Sequence, residues 1–275
     1  MKTVLARLAA AGVVLAVLAA CGGGTPAPGA EPGTSAAPAP ASTSIALSPS
    51  SAAPSRSVGR VAVTGWLAGK DWTVIPTRRH IVALTFDAGA DADAVPSILA
   101  TLRREGVPAT FFLTGNFVRD FPAAAREIAA GGYRIGDHTV SHPYLTRLSD
   151  AAVRQEILSG ARQITAVTGI NPAPLFRFPF GDADARTIAI ANQAGYAPIR
   201  WTVDTLGWEG KAGHISAAAV AARVLAALTP GEIVLMHVGS NPDDHTTFDA
   251  DALPQVISEL QAHGYSFVTL TALTG

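Results

Sequence analysis

Seven short apolar runs alternate with amphipathic segments from Ile81 onward, and this alternation restricts the chain to an α/β architecture. The runs Ile81–Phe86, Thr110–Thr114, Tyr133–Gly136, Leu175–Phe178, Pro198–Thr202, Glu232–His237 and Ser266–Leu270 read as strands. Most are rich in Val, Ile, Phe or Leu without clean alternation, as expected of strands covered on both faces. Helices are predicted between them over Pro96–Glu105, Pro122–Ala130, Asp150–Val167, Asp184–Ala194, Ile215–Leu228 and Ala252–Ala262. Glycine or proline follows each and supplies the stop signal. Repeated β-α units imply a parallel sheet with right-handed crossovers. Seven of them suggest a closed or nearly closed barrel, related to the eight-unit form. An open doubly wound sheet is the alternative, but no glycine-rich dinucleotide loop follows the first strand.

The residues before this array are of other kinds. Lys2 and Arg7 precede an apolar run from Leu8 to Ala20, the order of a secretory signal over residues 1–20. The run is shorter than the ~20 apolar residues that span a bilayer. Cys21, the only cysteine, follows Leu18-Ala19-Ala20 directly and resembles a lipobox cysteine, whose thiol is acylated. Residues 21–58 are otherwise Pro, Ala, Ser, Thr and Gly with little charge, too few large side chains for a core. They read as a tether with a typical span of ~35 Å. The expected location is extracytoplasmic, anchored to the cell membrane through lipid. Residues 59–275 remain for one domain with a substantial core. The formal net charge of −1 falls by two, to −3, without Lys2 and Arg7, so nucleic acid is not an expected partner. No protein partner is implied.

Chemistry-bearing residues recur just past the predicted strands. Asp87 ends Thr85-Phe86-Asp87, and a carboxylate after so apolar a run is costly unless paired or working. His138 and His142 lie four apart, on one face if that segment coils helically. Neutral imidazoles suit zinc and similar ions. The pair lacks the glutamate of the His-Glu-x-x-His metalloprotease pattern. Arg177 opens Arg177-Phe178-Pro179-Phe180-Gly181 and is suited to orienting a carboxylate. His237 ends Leu235-Met236-His237. Side chains past the strand ends of an α/β barrel converge on one face.

These motifs, in this order and spacing, resemble the polysaccharide deacetylases, the NodB-like carbohydrate esterases of family 4, over about Ile81 to Leu270. The resemblance implies a distorted (β/α)7 barrel, the NodB homology domain. It also implies a hydrolase of N-acetyl groups on a glycan, a divalent metal with zinc as the expected ion, and roles for individual residues. Asp87 is the implied general base and Arg177 its holder. His138 and His142 are the implied metal ligands. The Phe180 backbone N–H, at the place of the family's usual tyrosine, is an oxyanion donor. His237 is the acid, Leu235 lines the acetyl pocket, and Trp208 forms a groove wall.

Two positions depart from the family pattern. Ala88 stands where a second aspartate usually ligates the metal. Asp91 in the following loop is the expected replacement, and Asp93 reads as an N-cap for the helix beginning near Ala94. Gly207 stands where many members carry an aspartate that acts on the acid histidine. Asp204 is a candidate substitute, or His237 works without one. The leading expectation is a metal-dependent deacetylase of an N-acetylated polysaccharide, with cell-wall peptidoglycan favoured by the tether. The alternatives are an O-acetyl esterase of the xylan type, or a non-catalytic glycan-binding lipoprotein that has lost its metal through Ala88.

Overall fold

The computed structural model describes residues 62–274. The expected signal segment, Cys21, the tether and residues 59–61 lie outside them. Elements follow in the order β1 (Ile81–Ala88), α1 (Val95–Glu105), β2 (Ala109–Leu113), α2 (Gly115–Asp120), α3 (Pro122–Ala130) and β3 (Arg134–Asp137). Next come α4 (Asp150–Thr168), β4 (Leu175–Phe176), α5 (Ala185–Gln193), β5 (Ala197–Pro198) and β6 (Val203–Asp204). The last are α6 (Ala217–Ala226), β7 (Glu232–His237), α7 (Phe248–Ala262), β8 (Ser266–Phe267) and α8 (Thr271–Thr274).

The strands pair in the order β5-β4-β3-β2-β1-β7-β6, and β8 pairs the foot of β1. Every pairing is parallel, and the seven-strand path curls into a half-barrel of the expected (β/α)7 kind. β1 is buried over all eight residues, and its two faces enter different cores. Val82, Leu84, Phe86 and Ala88 pack outward among helix residues such as Ile98, Leu253 and Ile257. Ile81 and Ala83 turn inward with Phe112, Leu175, Ala197 and Ile233. The period of two therefore directs the odd-numbered residues of β1, Asp87 included, to the concave side.

Residues 62–80 neither form a long strand nor stand apart. Trp72 bridges Ile199, and Val74 bridges Glu232, so this segment spans the gap between the two edges of the sheet. Ile75 and Trp72 extend the inner core there. The expected strand Pro198–Thr202 is interrupted, because residues 200–202 leave β4 and cross toward β7. Arg200 N–H donates to Trp72 O at 2.7 Å and Thr202 N–H to Ile233 O at 2.8 Å. β6 completes the crossing, and its two residues are too few to show a period in sequence. α2 is likewise one short turn and a half, capped by the Thr114 hydroxyl accepting from Phe117 N–H at 3.0 Å. α7 begins four residues before the expected Ala252 and runs through Pro254. Glu232, at the start of β7, is fully buried with no ion-pair partner among the described residues. Burial pushes its carboxyl up to about 7.

Candidate active site

The floor of the site is a buried ion pair. Arg177, one residue past β4, is fully buried. Its Nη1 donates to Asp87 Oδ1 at 2.7 Å and to the Thr85 hydroxyl at 3.0 Å. Its Nε donates to Ile199 O at 3.0 Å and its Nη2 to Arg200 O at 2.8 Å. The Phe112 ring lies 4.2 Å under the guanidinium. With its donors directed this way, the group cannot rotate away from Asp87. Burial alone would raise the Asp87 carboxyl, but Arg177, then His138 and His237, outweigh it and hold it below the ordinary carboxylate value.

His138 and His142 come together by a route other than a helical turn. Residues 138–144 are irregular, and Thr139 (φ 71°) and His142 (φ 59°) are left-handed. Such conformations cost about 1–3 kcal/mol each and persist only where the surroundings impose them. Here Asp137 Oδ1 accepts from Thr139 N–H at 3.1 Å, and the Thr139 hydroxyl accepts from His142 N–H at 3.0 Å. Glu156 of α4 accepts from Val140 and Ser141 N–H at 2.9 and 3.0 Å. The loop sits so close to α4 that a Cβ on Gly160 would lie 2.6 Å from Asp137 Oδ1. The result is two imidazoles 4.7 Å apart, edge to face. His138 Nδ1 meets Arg177 O at 2.9 Å, and its Nε2 lies 3.4 Å from Asp87 Oδ2. Burial lowers both rings, His142 to about 3 with help from His138, so both are neutral at pH 7.

His237 ends β7 in register with Asp87 on β1. Its partner is Asp249 in the first turn of α7, which no sequence pattern singled out. Asp249 Oδ2 accepts from His237 N–H at 2.8 Å and lies 3.5 Å from His237 Nδ1, an ion-pair separation rather than a tight hydrogen bond. Burial pushes the His237 imidazole down, but Asp249, with Asp87 and Asp204 behind it, leaves it above its ordinary value. Asp204, the substitute expected from sequence, faces the same pocket but accepts from Leu206 N–H at 2.9 Å.

A cavity of about 570 Å³ joins Asp87, His138, His142, Leu235, Trp208 and His237. Phe180 and Trp208 flank it, 54% and 48% exposed, so two aromatic faces stand open to solvent at its rim. Phe180 is left-handed (φ 59°), and its ring stacks on Tyr144 at 4.1 Å and meets His142 edge-on at 4.4 Å. The fold thus gathers the expected residues with one exception.

That exception is Asp91. Its Oδ1 accepts from Ser240 N–H at 2.9 Å and Asp93 N–H at 3.0 Å, tying the loop after β1 to the loop after β7. It is absent from the pocket wall. Asp93 does not cap α1 either; it accepts from the Ser240 hydroxyl at 2.8 Å, and Ala94 holds the cap position. Ala88 points into the outer apolar core, away from the imidazoles. Among the described residues no group of three His, Cys, Asp or Glu is arranged to hold a metal ion. Catalytic zinc usually has three protein ligands. The neutral pair His138 and His142 is suitable in kind but one donor short, so the residues present do not fit a complete zinc centre.

Comparisons with known proteins place the chain in a family. Residues 75–199 match the sequence profile of the family described as polysaccharide deacetylase, whose members are generally metal-dependent. A peptidoglycan-N-acetylglucosamine deacetylase of Bacillus cereus is 34% identical over 198 residues, covering 72% of this chain and 70% of that protein. The peptidoglycan-N-acetylglucosamine deacetylase PgdA of Listeria monocytogenes is 36% identical, covering 70% of this chain but only 39% of the Listeria protein. Among solved structures, BA3943 of Bacillus anthracis, described as a CE4 family pseudoenzyme, superposes with a TM-score of 0.65 at 29% identity, covering 72% of this chain and 66% of that one. A mutant of BA3943 is described as having restored enzymatic activity. With this fold, these motifs and these relatives, the chain belongs to the polysaccharide deacetylase family.

Proposed function

We propose that this chain removes N-acetyl groups from an N-acetylated glycan, and that the glycan is cell-wall peptidoglycan. One observation carries the reading: a base and an acid face the same cavity, each with its own counter-ion. Asp87, ionised at neutral pH beside Arg177, takes the proton of the attacking water. Its depressed pKa keeps it charged at some cost in basicity. The Phe180 backbone N–H stabilises the tetrahedral oxyanion, as a fixed donor does best in a partly dry site. His237, charged more readily than an ordinary imidazole, gives its proton to the leaving nitrogen, which departs poorly as an anion. Leu235, almost fully buried in the cavity wall, receives the acetyl methyl, and Trp208 and Phe180 hold sugar rings. Peptidoglycan is favoured because relatives named for that substrate align over most of the described residues.

The same proposal places the enzyme outside the cytoplasm. Residues 1–20 direct export, Cys21 is acylated, and residues 21–58 let the domain reach the wall from the membrane. Cys21→Ser should then shift the protein from the membrane to the soluble fraction.

A second reading rests on the two-imidazole donor set: a glycan-binding protein without turnover. Acetate release from peptidoglycan or chitooligosaccharide separates the two. Release that disappears in Asp87→Asn supports the hydrolase; retention of the glycan without release supports the binder.

A further inference from the structure

We propose that Asp249 is the positioning residue for His237, and that it holds this place because position 207 is a glycine. The proposal rests on the reading of His237 as the acid, so its test reads the imidazole itself rather than turnover.

The geometry is specific. A Cβ added to Gly207 would lie 2.3 Å from Asp249 Oδ1 and 2.4 Å from its Cγ. The Asp249 carboxylate therefore occupies the volume that any side chain at 207 would enter, and the two cannot both be present without movement. Asp249 is 3% exposed, and a carboxylate so buried must be held by donors. It has them on both oxygens: the Thr205 hydroxyl donates to Oδ1 at 2.6 Å, and His237 N–H donates to Oδ2 at 2.8 Å. It also lies in the first turn of α7, where the helix dipole favours negative charge. These contacts leave Oδ2 facing His237 Nδ1 at 3.5 Å. A carboxylate there favours the tautomer with hydrogen on Nδ1, and so turns Nε2 toward the cavity as the atom that gains and gives the proton.

Other charged groups face the ring as well. Asp87 lies across the sheet on β1, Asp204 is on β6, and His138 is beyond Asp87. Only Asp249 is bonded to the His237 backbone and fixed in direction by it. Gly207 and Asp249 are thus one arrangement: the carboxylate comes from α7 instead of from the loop that carries Trp208.

The test is nitrogen-15 NMR of histidine-labelled protein, following the His237 ring. The wild-type ring should show hydrogen on Nδ1 when neutral; hydrogen on Nε2 would overturn the proposal outright. In Asp249→Asn, which removes the charge but leaves an oxygen to accept from Nδ1, the titration midpoint should fall by about one pH unit. An unchanged midpoint in that variant would also overturn it. If Asp249→Asn does not fold, the exchange Gly207→Asp with Asp249→Ala reads the same ring with the carboxylate supplied from the other side. A restored Nδ1–H tautomer supports the proposal, and a mixture of tautomers rejects it.

Discussion

The two halves of the cavity are built to different standards. In the acid–base half, Asp87 has Arg177 and His237 has Asp249, and all four are anchored by further hydrogen bonds or by a strand. In the imidazole half, His138 and His142 sit on an irregular loop in neutral form, with Ala88 turned into the core and Asp91 bound elsewhere. The difference teaches that the two halves rest largely on different elements and meet at His138, which touches both Arg177 O and Asp87. The ion pairs depend on β1, β4, β7 and α7, whereas the imidazole pair depends on α4 through Glu156 and Gly160. A site can therefore be one metal ligand short while its base and acid remain in place.

The largest test attacks the complete half. Asp87→Asn should lower acetate release by about 10³-fold, since positioned acid–base groups contribute roughly 10²–10⁴. Asparagine is preferred to alanine because it leaves Arg177 a partner; a bare buried guanidinium would cost about 3–5 kcal/mol of stability. Next, His237→Ala should lower kcat by about 10²-fold with little change in KM. The pH profile sharpens the same point. Activity should already be present below the usual carboxylate range, because Asp87 is depressed, and should persist above pH 6.5 before falling, because His237 is raised. An alkaline limb that survives His237→Ala would assign the acid elsewhere.

A smaller effect contrasts paired and unpaired carboxylates in one fold. At Asp87, Arg177 together with His138 and His237 outweighs burial, whereas Glu232 has only burial acting strongly on it and rises to about 7. The folded protein keeps the Glu232 proton that the unfolded chain releases, so this group should reduce stability as pH rises through 7. Glu232→Gln should raise the Tm by about 2–4 °C above that pH and leave it unchanged in acid. The smallest effect concerns the incomplete half. Zinc titrated into the chelated protein should bind more weakly than at a three-ligand site, and Asp91→Ala should leave the affinity unchanged. A loss of zinc binding in Asp91→Ala would show that the loop rearranges to ligate, and would end the contrast between the halves.

Legibility in the sequence followed how local the determining contacts are. β7 and α3 have the bounds expected from their patterns, because a continuous apolar run and a Pro-to-Gly segment carry their own boundaries. The short elements β6 and α2 escaped, being shorter than the periods that would reveal them. Asp87, Arg177, His138, His142 and His237 were legible as ionisable residues placed just after apolar strands. Asp249 was not, since it lies on the next helix, 12 residues past His237, in a segment with other aspartates. Its only clue was negative: a glycine at 207 before Trp208, where many family members carry an aspartate.

The amino-acid sequence by itself determined the alternating βα plan and which ionisable groups stand at the strand ends. These follow from periodicity and from the cost of burying charge, which act over a few residues. Only the tertiary structure decided which carboxylate serves which partner. Asp91 and Asp249 are both aspartates in loop or helix-start positions, yet one is drawn to Ser240 N–H and the other to His237 N–H. Those donors are brought within reach by the curl of the sheet and the packing of α7, so the choice between them is made by distances that sequence spacing does not contain.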